Sequence, residues 1–120
     1  MYIYNNFIYY AHLGNPVGSE QGLDRPVLIV HTTKESPVCI VIPLTLERCG
    51  DSIPYHIDLS NGKGTALIEQ IRTIDKSRIY EHLYEHGKYA TINDDERNNI
   101  NGQLERICRI KPLFVPQKKS

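Results

Sequence analysis

Apolar positions along this chain follow two different periods. In the first part they come in short β-rich runs. Phe7-Ile-Tyr-Tyr-Ala-His-Leu13 is one, closed by the turn cluster Gly14-Asn-Pro16. A loop holding Gly18 and Gly22 leads through Arg25-Pro26 into Val27-Leu-Ile-Val30. After Thr32-Thr-Lys-Glu-Ser-Pro37, which reads as a hairpin connection, comes Val38-Cys-Ile-Val-Ile42. Such wholly apolar, β-branched runs predict strands buried on both faces. Ile53-Pro-Tyr-His-Ile-Asp-Leu59 alternates, so Ile53, Tyr55, Ile57 and Leu59 face one way and His56 and Asp58 the other. Asn61-Gly-Lys-Gly64 predicts a turn, and Ala66 to Ile74 a returning strand.

The period then lengthens. Ile79, Leu83 and Tyr84 make a helical stripe between Asp75 or Ser77 as cap and Gly87 as stop. Ile100, Leu104, Ile107 and Cys108 make a second stripe behind Asp94, although Gly102 costs that helix about 1 kcal/mol relative to alanine. The tail from Lys111, with Pro112 and Pro116, is expected to lie over the surface or fray. With no internal repeat or linker, the pattern predicts one α+β domain over residues 1–120. Its expected core is a small, strongly curved antiparallel sheet or partly open barrel, with the last helix packed on it.

Composition narrows the class. The 120 residues carry 14 Lys plus Arg against 14 Asp plus Glu, with 40% apolar and 23% charged positions. That describes a globular domain able to bury a core, and neutrality argues against holding DNA or membranes by bulk charge. Cys39, Cys49 and Cys108 are odd in number and lack a Cys-x-x-Cys pair, which favours a reducing cytoplasm over a disulfide framework. No apolar run reaches the length of a membrane span.

Several familiar patterns fail on inspection. His82-Leu-Tyr-Glu-His86 matches the inverted zinc-protease arrangement, but Gly87 would end the expected helix directly after the second histidine. Two solvated histidines on a short helix are expected instead, and no metal. Gly62-Lys-Gly-Thr65 lacks the upstream glycine of a phosphate-binding loop. Cys39 lies within a core-like strand and is expected to pack there rather than act as a nucleophile.

Three segments resist a purely structural reading. Gly18-Ser-Glu-Gln-Gly22 feeds Arg25-Pro26-Val27, placing a guanidinium at a strand mouth, where it either serves a site or pairs Glu20 or Asp24. Val41-Ile-Pro-Leu-Thr45 ends a buried strand in a hydroxyl. Ile53-Pro-Tyr-His56 goes with Leu67-Ile-Glu-Gln-Ile-Arg-Thr-Ile-Asp-Lys76, in which Glu69, Gln70 and Arg72 interrupt a core-like strand. Interior polar groups need partners or a purpose.

Taken in order, Gly-Ser-Glu-Gln-Gly-x-x-Arg-Pro-Val, the strand into Pro-Leu-Thr, Ile-Pro-x-His and Ile-Glu-Gln-Ile-Arg-Thr-Ile-Asp-Lys-x-Arg resemble the MazF/PemK toxins of bacterial type II toxin–antitoxin pairs. The resemblance runs from Phe7 to Arg78 and more loosely beyond. It implies a small SH3-like antiparallel β-barrel of the PemK/CcdB-like toxin fold, with short helices and a C-terminal helix. It also implies a cytoplasmic homodimer that cuts single-stranded RNA at a short preferred sequence without a metal or other cofactor, arresting growth, and a cognate antitoxin partner. Carried over by position, the catalytic arginine falls on Arg25 and the catalytic hydroxyl on Thr45; RNA contacts fall on Ser19, Glu20, Gln21, His56 and Gln70. Thr45-Leu46, Leu23-Asp24 and Asn5-Asn6 depart from the family pattern, and Leu46 and Asp24 flank the expected site.

Cleavage by the neighbouring 2′-hydroxyl needs that oxygen deprotonated, the leaving 5′-oxygen protonated and the phosphorane charge stabilised. Arginine suits the last task, since its planar fork holds two phosphate oxygens and its high pKa makes it a poor base. His56 is either a base contact or, with its accessible pKa range, a general base. Two other classes share the fold: gyrase-poisoning toxins and noncatalytic SH3-like interaction modules.

Overall fold

The computed structural model describes residues 1–46 and 53–110. Cys49 and the tail from Lys111 therefore lie outside the described residues. The early apolar runs become strands: β1 (Ile8–His12), β2 (Asp24–His31) and β3 (Val38–Thr45) pair as antiparallel neighbours. Both faces of this unit are covered, as the unbroken runs predict. Leu28, Ile42 and Leu44 join one core cluster with Ile8 and Ile68, whereas Val27, Ile29, Cys39 and Val41 join a second with Tyr9 and Ile74. Cys39 is indeed a core residue, and burial pushes its thiol pKa up.

β3 changes partners along its length. Its first half pairs with β6 (Arg72–Asp75) and its end pairs with β5 (Gly64–Leu67), which in turn pairs with β4 (His56–Leu59). The expected strand from Ala66 to Ile74 is thus two strands, separated by a 3-10 turn at Ile68–Gln70. The reason is geometric. Only a break in the ladder lets one sequence segment follow both halves of β3, and the polar residues Glu69 and Gln70 occupy that break.

The order β4-β5-β3-β2-β1-β7, with β6 on β3, leaves β6 and β7 (Ile79–His82) at opposite ends of the β6-β3-β2-β1-β7 path. They are adjacent in sequence, joined by a 3-10 turn at Lys76–Arg78 whose entry is capped by Asp75. The sheet must therefore curl strongly. β6 and β7 do not pair among the described residues, so the ladder is a curled antiparallel sheet and not a closed barrel.

The helix expected before Gly87 is not formed. Ile79–His82 pairs with β1 instead, and β8 (Tyr84–Glu85) returns through a tight turn to β9 (Lys88–Tyr89). His86 and Gly87 both have positive φ, 52° and 78°, so the glycine that reads as a helix stop is half of a hairpin turn. Pairing with the free edge of β1 outweighs a helical stripe only a few residues long. His82 and His86 consequently do not share a helical face. His82 is buried with its ring stacked 3.7 Å from that of Tyr89, and this burial lowers its pKa; His86 is exposed in the turn.

The second helical stripe does form a helix, α1 (Asp94–Cys108). Its start is a capping box in which the Asn93 side chain accepts from the Glu96 N–H and the Glu96 carboxylate accepts from the Asn93 N–H. Ile100 is buried and Leu104 and Ile107 pack beside it, while Cys108 is exposed. Glu96 also accepts from the Ser60 N–H at 2.7 Å and from the buried Lys63 Nζ at 3.2 Å. That network fastens the helix to the β4–β5 turn.

Candidate active site

The β1–β2 connection stays zipped beyond its strands. Leu13 donates its N–H to the Leu23 carbonyl at 2.8 Å, and Leu23 donates to Gly14 at 2.6 Å. These bonds close the loop base, with Leu23 held at φ 60°. The loop then folds back on itself through Glu20, whose Oε1 accepts the Val17 N–H at 3.1 Å.

Gln70 joins this loop to the 3-10 turn. Its Oε1 accepts the Gln21 N–H at 2.7 Å and its Nε2 donates to the Ser19 carbonyl at 3.3 Å. Between loop and turn lies a cleft of about 530 Å³ lined by polar groups including Asn15, Glu20, Gln21, Glu69, Gln70 and Arg72. The Gln21 Oε1 is buried with no hydrogen-bond partner among the described residues. His56 Nε2 meets Glu69 Oε1 at 2.6 Å, and its side chain is only 11% exposed. Its ring thus supports a cleft-lining carboxylate.

Arg25, the second residue of β2, is half-buried, and its Nε donates to the Gly22 carbonyl at 3.2 Å. The alternative of an ion pair with Glu20 or Asp24 is not what forms: Asp24 contacts His12 Nδ1, and Arg25 has no carboxylate partner among the described residues. Val27 pairs with Pro43, Leu28 with Ile42 and Ile29 with Val41. Continuing that register outward sets Arg25 opposite Thr45 at the shared end of the two strands, and strand alternation gives both side chains the same face. The Thr45 hydroxyl has no hydrogen bond among the described residues, and Leu46 beside it is exposed.

Thr45 itself is positioned by Gly64. Thr45 pairs with Thr65, and a Cβ on Gly64 would lie 2.0 Å from the Thr45 carbonyl oxygen. With φ at 95°, Gly64 also has backbone geometry that L-residues rarely adopt. Gly64→Ala is therefore expected to displace the end of β3, destabilising the fold by about 2–5 kcal/mol. Cleavage by the folded fraction should fall about a hundredfold, as for a misplacement on the order of 1 Å. Denaturant melts alongside single-turnover cleavage check this; a variant with wild-type rate and stability would contradict it.

The seven residues expected from the sequence thus fall into two groups. Glu20, Gln21 and Gln70 line the loop–turn cleft, with the Ser19 carbonyl bonded to Gln70 and His56 behind Glu69. Arg25 and Thr45 sit at the neighbouring strand ends. The site list from sequence omits Arg72, Asn15 and Glu69, which line the cleft, and Gly64. The glycine left a trace in the Asn61-Gly-Lys-Gly64 turn, but its approach to Thr45 depends on strand pairing.

Comparison with known proteins puts this curled sheet and C-terminal helix in a family of toxins. The family model described as PemK-like, MazF-like toxin of type II toxin–antitoxin system matches residues 6–108, and the chain belongs to that family. Among its relatives, the endoribonuclease MazF of Staphylococcus saprophyticus is 33% identical over 107 residues, covering 82% of this chain and 84% of that protein. Endoribonuclease EndoA of Bacillus subtilis is 34% identical over 107 residues, covering 82% and 87%. In structure, MazF of Deinococcus radiodurans superposes with a TM-score of 0.73 at 21% identity over 90% of this chain and 98% of that one. The MazE–MazF structure from the same organism gives 0.68 at 20% identity, covering 90% and 97%.

Proposed function

We propose that this chain, an endoribonuclease by its family and relatives, is the toxin of a type II toxin–antitoxin pair that cuts single-stranded messenger RNA at a short preferred sequence. The observation that carries this is an arginine with no carboxylate partner among the described residues, set opposite a threonine hydroxyl beside a polar cleft. A half-buried guanidinium with no carboxylate partner among the described residues is ready to take an anion, and a phosphodiester is the anion that its two-pronged donor geometry fits.

In this reading the 2′-oxygen attacks the adjacent phosphorus as the bond to the 5′-oxygen breaks, giving a 2′,3′-cyclic phosphate and a 5′-hydroxyl, without a metal ion. Arg25 binds the non-bridging oxygens and stabilises their growing charge; Thr45 donates its O–H to one of them. Ser19, Glu20 and Gln21 contact bases from the loop. Gln70 holds that loop in place, and His56 acts through Glu69 at the cleft wall. The SH3-like barrel relationship, a cytoplasmic homodimer and an antitoxin whose acidic segment folds over the RNA site complete the proposal; the MazE–MazF neighbour supports the antitoxin.

The test is end chemistry. Purified protein should cut single-stranded RNA in excess EDTA, leaving 5′ ends that polynucleotide kinase labels without prior phosphatase treatment. A strict metal requirement or 5′-phosphate products would overturn the mechanism.

A further inference from the structure

Outside the cleft, the end of β1 carries an exposed stack of rings. The rings of His12 and Tyr80 lie 4.2 Å apart and within 17° of parallel, and Tyr10 continues the stack at 6.3 Å from Tyr80. Two of these rings are open to solvent, the His12 side chain at 57% exposed and Tyr80 at 41%, and Tyr10 is half-buried. A register shift between Tyr10 and Ala11, where β1 pairs with β7, turns Tyr80 onto this surface.

The stack is continuous with the strand mouth. Arg78 Nη1 donates to the His12 carbonyl at 3.0 Å and lies 3.7 Å from where a side chain on Gly14 would begin. Gly14 crosses Gly22 so closely that a Cβ on Gly22 would fall 2.8 Å from the Gly14 carbonyl oxygen. Arg25 donates to Gly22 from the other side. Two guanidiniums therefore flank one thin glycine crossing, and the rings begin where the second of them ends.

We propose that the His12–Tyr80–Tyr10 stack is a second RNA subsite, receiving a base of the strand outside the cleaved step while Arg78 contacts the intervening phosphate. This rests on the endoribonuclease reading above. Every base offers a flat π face, so aromatic side chains hold single strands with little sequence preference. Asp24, which contacts His12, and Glu81, opposite Tyr10, put negative charge beside the rings, which suits stacking rather than bulk charge as the source of binding. The near-parallel rings of His12 and Tyr80 favour the flat face of a nucleobase over a protein partner.

The experiment compares two single-stranded oligonucleotides carrying the mapped cleavage sequence: a minimal one, and one extended by about ten nucleotides on each side. Tyr80→Ala is expected to raise KM for the extended RNA by about tenfold or more, the loss of one stacked base. It should leave kcat and the minimal RNA's KM unchanged. Tyr80→Phe, which keeps the ring, should behave as wild type. Equal KM values for Tyr80→Ala and wild type on the extended RNA overturn the subsite, as does an equal rise on both RNAs. Weakened self-association with unchanged KM would assign the rings to a protein contact and overturn it too. Wild-type protein that cuts neither RNA overturns the endoribonuclease reading, and the subsite with it; cleavage of both with no Tyr80 effect overturns the subsite alone.

Discussion

The Arg25→Ala variant is expected to cleave RNA at least about a thousandfold more slowly than wild type, with little loss of stability. The two halves of that expectation have separate causes. Among the described residues Arg25 makes one side-chain hydrogen bond, to the Gly22 carbonyl, from a half-buried position, so its removal costs about 1 kcal/mol of folding free energy. In the proposed transition state the same guanidinium would face a phosphorane gaining negative charge. Preorganised donors of this kind are worth about two to three orders of magnitude, and arginines on phosphoryl oxygens about three to five. Arg25→Lys should recover only part of the rate, because a point charge replaces the fork. Single-turnover kinetics with saturating enzyme, checked by thermal melts, separate chemistry from folding. A rate within tenfold of wild type would remove Arg25 from the mechanism.

Glu96→Ala is expected to cost about 3–5 kcal/mol of stability, as when one partner of a buried ion pair is removed. Glu96 serves three groups: the Asn93 N–H of its own capping box, the Ser60 N–H and the Lys63 ammonium. Without it Lys63, 5% exposed, keeps only the Thr91 carbonyl among the described residues, and α1 loses its tie to the β4–β5 turn. Burial alone would raise the Glu96 pKa; the Asn93 and Ser60 N–H groups and the Lys63 charge outweigh it and hold the pKa below its ordinary value of 4.5. The sign follows. The unfolded chain takes up the proton first, so the Glu96 contribution is whole above about pH 4.5 and is lost as pH falls through the folded-state pKa. Denaturant melts should show the gap between wild type and Glu96→Gln narrowing below that pH. A gap that stays constant down to pH 3 would contradict the assignment.

How much of this was legible in the chain varies with the range of the forces involved. The β2 and β3 runs announce strands buried on both faces because no other arrangement removes unbroken Val-Leu-Ile and Val-Cys-Ile-Val-Ile sequences from water. The last helix is equally local: Asn93 and Glu96 cap it, and the Ile100–Leu104–Ile107 stripe seats it. Residues 79–89 misled because Ile79, Leu83 and Tyr84 suit helical spacing on paper. A weak local preference yielded to the unpaired edge of β1, which lies far away in sequence. The break at Ile68–Gln70 was hidden for a similar reason, since it exists to follow the change of partner along β3.

The site divides along the same line. The chain by itself supplied the ordered motifs from Gly18 to Arg78, and with them the residue types the chemistry needs: an arginine at a strand mouth, a terminal threonine, and polar groups within a core-like segment. Those are matters of side-chain chemistry and short-range pattern. Only the tertiary structure decided that Arg25 stands opposite Thr45 with no carboxylate partner among the described residues, that Gln70 bonds to the loop, and that His56 meets Glu69. It alone brought His12 against Tyr80 and left no room at Gly64 for a side chain. Each of these is set by register and curvature between strands distant in sequence, where a shift of one residue would reverse every face.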